Sequence, residues 1–182
     1  MYFDDSRRLT GPNLFSDLPG AVMEVYFECE DPQKFANDWQ IELQTLLKAL
    51  AVPADIFCRH FEGGVNIGFT ALEDMLYTAC EINETAFYRV QAALGSLPDD
   101  VEVQTLASLE DMLAKERNPE LLSLIAAAND NGVTYLTDDD EFSLGMGSSS
   151  DTWDIADIPS PAAVDFSKYD DVPVAFVTGT NG

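Results

Sequence analysis

Two apolar stripes at helical spacing, with two short strands between them, constrain this chain more than any other feature. Phe35, Trp39, Leu43, Leu46, Leu47 and Leu50 follow Asp31-Pro32, an N-cap and a first-turn proline, and predict an amphipathic helix over 32–50. Leu72, Met75, Leu76, Ala79, Cys80, Phe87, Val90 and Leu94 form a second stripe that stops near Gly95. Thr70 and Glu73 have the spacing of a capping box at its start. Between the stripes, residues 56–61 and 65–69 flank Glu62-Gly63-Gly64, and those turn residues predict a hairpin. Residues 21–28 are β-rich and partly alternating. The order β-α-β-β-α predicts an α+β fold: a small antiparallel or mixed sheet with helices packed on one face. Residues 1–20, with Gly11-Pro12 and Pro19-Gly20, read as an extended entry segment.

Further along, Ser108 and Asp111 mark the opening of a short helix. Asn118-Pro119 restarts it, and Leu121, Leu122, Ile125 and Ala128 carry a stripe to the Asn131-Gly132 stop. Two short strands, 133–136 and 141–144, surround an acidic turn. Then the composition shifts. Residues 136–171 hold ten acids against one base, Lys168, and 145–171 contain Gly, Ser and Pro clusters. This predicts an acidic linker over 145–171 after a domain spanning 1–144. Residues 172–177 are a compact apolar run in the style of a buried parallel strand.

That run enters Thr178-Gly179-Thr180-Asn181-Gly182. A buried strand followed by glycines is the opening of a phosphate loop, in which backbone N–H groups converge on phosphate oxygens. The Lys and the Mg-binding hydroxyl of such a loop do not occur in these 182 residues. Residues 172–182 therefore read as the start of an ATPase domain, with Thr178, Gly179, Thr180, Asn181 and Gly182 as its nucleotide-binding residues.

The charge narrows the partners. Nine Lys and Arg stand against 33 Asp and Glu, a formal net charge of −24. Such a surface repels nucleic-acid phosphates and anionic membranes. Two readings of it stay open: a heavily solvated surface suited to a salty habitat, or a surface that attracts a cationic ligand. Cys29, Cys58 and Cys80 lie far apart, and His60 is the only histidine, which argues against a Cys/His zinc site and against a disulfide scaffold. All three cysteines lie in apolar stretches and read as buried thiols. The acidic start, Met1-Tyr2-Phe3-Asp4-Asp5, does not resemble a secretory leader, and no apolar run approaches membrane-helix length. A cytoplasmic location fits these features.

The residues resemble a known family. Residues 173–182, Pro-Val-Ala-Phe-Val-Thr-Gly-Thr-Asn-Gly, look like the start of the central ATPase domain of Mur ligases. Arg7-Arg8-Leu9-Thr10-Gly11-Pro12-Asn13 resembles the opening of cyanophycin synthetases, a branch of those ligases. Phe61-Glu62-Gly63-Gly64-Val65, Phe69-Thr70-Ala71 and Leu76-Tyr77-Thr78-Ala79, with Glu81, Asn83 and Glu84, look like a later stretch of their N-terminal domain. Residues 131–133 and 142–147 resemble the entry to their ATP-grasp module. Only 25 residues separate Gly147 from Pro173, so the likeness is to a shortened form without that module. The resemblance implies an ATP- and Mg²⁺-dependent ligase that joins a carboxylate to an amine. In it the present residues hold an amino-acid or peptide-like substrate or product, and catalysis lies downstream. It also implies that this piece contains no catalytic residue or metal ligand of its own and binds no ATP tightly; a homo-oligomer is compatible with it. Glu81 and Glu84, three apart on one helix, would then contact a cationic group of the ligand; the plainer reading is a solvated helix face. The rival reading is a stand-alone acidic binding module for a cationic ligand.

Three further features weigh less. Arg59 and His60 are neighbours on a strand and point to opposite faces, so a structural histidine is the default. Ser148-Ser149-Ser150 reads as loop, and Asp138 to Glu141 as a charged turn, not a calcium loop.

Overall fold

The computed structural model describes residues 1–28 and 31–172. The chain divides into two compact units, Met1–Arg117 and Asn118–Gly182.

The first unit is built on a four-stranded antiparallel sheet of β1 (Tyr2–Leu9), β2 (Gly20–Tyr26), β3 (Ile56–Phe61) and β4 (Gly64–Thr70), in the order β1-β2-β4-β3. Alternation puts Ala21, Met23 and Val25 of β2 and Val65, Ile67 and Phe69 of β4 on one face, all fully buried. Helices α1 (Pro32–Ala49) and α2 (Leu76–Ala93) cover that face with Phe35, Trp39, Leu43, Ile82, Ala86 and Phe87. The fold is α+β, as the two stripes and the hairpin predict. Helix α1 starts where Asp31-Pro32 places it, the Asp31 carboxylate accepting from the amides of Gln33 and Lys34 at 3.0 and 3.3 Å. The hairpin turns at Glu62-Gly63, with Gly63 at φ +87°. On the opposite sheet face the Phe57 ring lies across Gly68, where a Cβ would also strike the Ala21 carbonyl. That position admits only glycine.

Three local expectations are corrected. Residues 2–9 are not an entry segment but the edge strand β1. Its register slips by one residue between Phe3 and Ser6, so Asp4 and Asp5 form a bulge that blunts the edge. Thr70 does not cap α2: it ends β4, and its hydroxyl accepts from the Asp55 amide at 2.9 Å. The third helix, α3 (Leu106–Glu116), is capped by Thr105, whose hydroxyl accepts from the Ser108 amide, so Ser108 lies within the first turn.

The end of α3 supplies what Thr70 does not. The Glu116 carboxylate accepts from the amides of Tyr77 and Thr78, both at 2.7 Å, and from the Thr78 hydroxyl at 2.6 Å. Next to it Arg117 pairs with Asp74 at 2.8 Å, and the Asp74 side chain is 1% exposed. Leu109, fully buried, fastens the middle of α3 to the same core.

The second unit holds α4 (Pro119–Asp130), capped by the Asn118 side chain, and a three-stranded antiparallel sheet of β5 (Tyr135–Thr137), β6 (Glu141–Leu144) and β7 (Asp151–Asp154). Phe142, Leu144, Leu124 and Ala128 form its core. The sequence places a domain end at 144 and a linker over 145–171. The packing division falls at 117/118, and 145–171 contributes β7 and a series of 3₁₀ turns. Trp153, Ile158, Val164, Phe166 and Tyr169 lie half-buried against this second core. Acidic composition hid that packing, because the apolar residues are spaced irregularly between charges.

Candidate functional site

The sequence singles out Glu81 and Glu84, and the fold sets them on the α2 stripe that faces the edge strand β1. The inward face of β1 carries Ser6 and Arg8, which pair in register with Met23 and Ala21 of the core face. They meet Tyr77, Cys80 and Glu84 on α2. The Arg8 guanidinium lies over the Tyr77 ring, 3.8 Å from its centroid. Tyr88 continues the stripe and packs edge-on against Phe3 and Phe87. Asp5, carried on the β1 bulge, adds a third carboxylate near Glu84.

Electrostatics make this face unusual even in so acidic a chain. Glu84 is half-buried; burial raises its pKa above the usual glutamate value, and the charges of Glu81 and Asp5 raise it further. The Ser6 hydroxyl opposes this by lying close enough to favour the carboxylate, but it makes no well-formed hydrogen bond. Burial also pushes the Cys80 thiol up to about 11, with Glu84 and Glu81 adding to the shift and Ser6 and Arg8 opposing it. The Tyr88 hydroxyl is raised by burial first and then by the same two glutamates. Among the described residues no basic side chain forms an ion pair with Glu81 or Glu84. A cation docked between them would relieve the repulsion and offset the desolvation penalty on the Glu84 carboxylate.

Glu84 binds its proton more tightly folded than unfolded, so its contribution is fully present below the ordinary glutamate range and is lost as pH rises through the raised folded pKa. Glu84→Gln, which stays neutral, should therefore raise Tm at pH 7 by roughly a degree or two and change it little at pH 4. Thermal melts of the two proteins at both pH values check this; equal shifts at the two pH values would contradict it.

The other sequence candidates fall elsewhere. Thr178, Gly179, Thr180, Asn181 and Gly182 lie outside the described residues, as does Cys29. Arg59 and His60 occupy opposite faces of β3, as their spacing predicts. Ser148 and Ser149 belong to a 3₁₀ turn. Asp138 makes a charged turn, accepting from the amides of Asp140 and Glu141 at 2.9 and 2.8 Å, and those amides hold its carboxyl below the usual aspartate value. The reading of all three cysteines as buried thiols fails at Cys58, which is exposed on the edge strand β3. Among the described residues no group of three or more His, Cys, Asp or Glu is placed to hold a metal ion, and no helix is long and apolar enough to cross a membrane.

Asp5, Ser6 and Arg8 escaped sequence reasoning because β1 shows no clean alternation: a bulge and five charged or hydroxyl side chains interrupt it. No known family model matches the chain, and no curated protein is significantly similar to it.

Proposed function

We propose that residues 1–117 form the ligand-holding domain of an ATP-dependent carboxylate–amine ligase of the Mur type. In this reading the Asp5/Glu81/Glu84 face of β1 and α2 receives a cationic group of an amino-acid or peptide-like substrate or product. The observation that carries the binding half is the half-buried Glu84 carboxylate, crowded by two like charges and, among the described residues, in no ion pair with a base. Arg8 over Tyr77 supports the choice of ligand, since a guanidinium already seats against this helix. The ligase half rests on the resemblance at 173–182 and at the N-terminal motifs. ATP and Mg²⁺ would serve the downstream domain, with Thr178 to Gly182 opening its phosphate loop, and residues 1–172 take no part in the bond-forming chemistry. The same face would serve a stand-alone binding module equally well, and that reading dispenses with ATP altogether.

Calorimetric titration with arginine- and lysine-containing dipeptides at low salt tests the binding half. We expect saturable binding that weakens about tenfold or more in a Glu81→Gln/Glu84→Gln variant, in keeping with charged contacts of 1.4 kcal/mol or more. Silence at low salt, or equal heats from the variant, would contradict it.

A further inference from the structure

On β3 the side chains of Cys58 and His60 stand on the same sheet face, paired across to Ile67 and Val65. Both are exposed, and Cys58 Sγ lies 3.7 Å from His60 Nε2. Two ligands on a tetrahedral zinc ion, with Zn–S near 2.3 Å and Zn–N near 2.1 Å, sit about 3.6 Å apart. The pair therefore already has the bite of half a tetrahedral site. It lacks the other half: no third or fourth ligand stands nearby among the described residues.

The missing half has a natural source. β3 is an edge strand with no bulge and no proline. An antiparallel pairing of two copies about a two-fold axis through Arg59 sets Cys58 of each copy opposite His60 of the other. Residues directly opposite share a face and have Cβ atoms about 5 Å apart. Two cysteines and two histidines then crowd one small patch of one face, the donor set of a structural zinc site. We propose that Cys58 and His60 form a half-site for Zn²⁺ that is completed by the same two residues of a second copy.

Charge bookkeeping agrees with metal-dependent pairing. Each bound Zn²⁺ displaces two thiol protons, so the ion's charge offsets the two thiolates it creates. On the other face the same axis places Arg59 opposite Arg59 of the second copy, a like-charge pair that disfavours the dimer. The net charge of −24 per chain adds to that repulsion. The metal-free protein is accordingly a monomer at this edge, and the ion supplies what holds two copies together.

The test adds Zn²⁺ or Co²⁺ to the full reduced chain and follows mass by sedimentation and the cobalt spectrum in parallel. The expected result is a mass doubling from 20.0 kDa at one metal per two chains, reversed by chelator, with a thiolate-to-cobalt charge-transfer band. Cys58→Ser and His60→Gln should each abolish the doubling. Cys80→Ser should leave it intact, and Arg59→Thr should strengthen it by removing the facing charges. Both ligand substitutions are at exposed positions, and circular dichroism of each variant checks that it folds. One metal per chain without a mass change would overturn the proposal. So would a dimer indifferent to chelator, or metal-linked dimerisation that survives Cys58→Ser.

Discussion

Trp39→Ala is expected to cost about 3–5 kcal/mol of folding free energy. Trp39 is fully buried between α1 and α2, and its indole N–H donates to Asn83 Oδ1 at 3.0 Å. Asn83 in turn donates to the Ile67 carbonyl of β4 at 3.2 Å. One buried polar chain thus ties both helices to the sheet. Removing the indole opens a cavity and also orphans a buried amide oxygen, which by itself costs about 1–3 kcal/mol. Trp39→Phe keeps much of the volume but still orphans Asn83, so it should fall between wild type and alanine. Pairing Trp39→Phe with Asn83→Leu in a double-mutant cycle separates packing from the hydrogen bond. Urea unfolding of the full chain followed by circular dichroism reads the effect, which belongs to the transition of residues 1–117. A loss below about 1 kcal/mol for Trp39→Ala would contradict this account of the core.

Glu116→Ala should cost about 2–4 kcal/mol, a large effect for a residue at the end of a short helix. Its carboxylate caps the first turn of α2 from 39 and 38 residues away, accepting three hydrogen bonds at 2.6–2.7 Å. It also places a negative charge at a helix N-terminus, where the macrodipole favours one. The residue at α2's own N-cap position, Met75, makes no side-chain cap. Glu116→Gln keeps an acceptor but loses the charge and one oxygen, so it should cost roughly half as much. Hydrogen exchange gives the local readout. The amides of Tyr77 and Thr78 should lose protection in the alanine variant, while those in the middle of β4 change only with global stability. Unchanged protection at 77 and 78 would sink the idea that Glu116 fastens α3 to α2.

These two sites show what the sequence can and cannot tell. Trp39 was legible as a core residue because the helical stripe through Phe35 and Leu43 places it there, and Asp31-Pro32 announces where that helix begins. Its partner Asn83 lies four residues from both Ala79 and Phe87 on the buried stripe of α2, but its polar amide and the nearby Glu81 and Glu84 mask that position in the sequence. Glu116 was not legible at all. The T-x-x-E spacing at Thr70 offered a local cap, and a local signal outcompetes a distant one in any reading of sequence alone. The hairpin at Gly63 and the stop at Gly132 were legible because glycine there answers a backbone requirement. Strand β1 was not, because its bulge breaks the period that identifies strands. The candidate site was half visible for the same reason. Glu81 and Glu84 share a helix and can be counted three apart, whereas Asp5, Ser6 and Arg8 join them only through the pairing of β1 with β2.

Specific binding of a cation at the proposed Asp5/Glu81/Glu84 face would set it apart from the other acidic patches of the surface. Amide chemical-shift mapping during titration with an arginine-containing dipeptide tests it most directly. Saturable shifts are expected in β1 from Asp5 to Arg8 and in α2 from Tyr77 to Tyr88. Shifts spread evenly over the acidic surface, or gathered instead around Asp138 to Asp157 in the second unit, would contradict it.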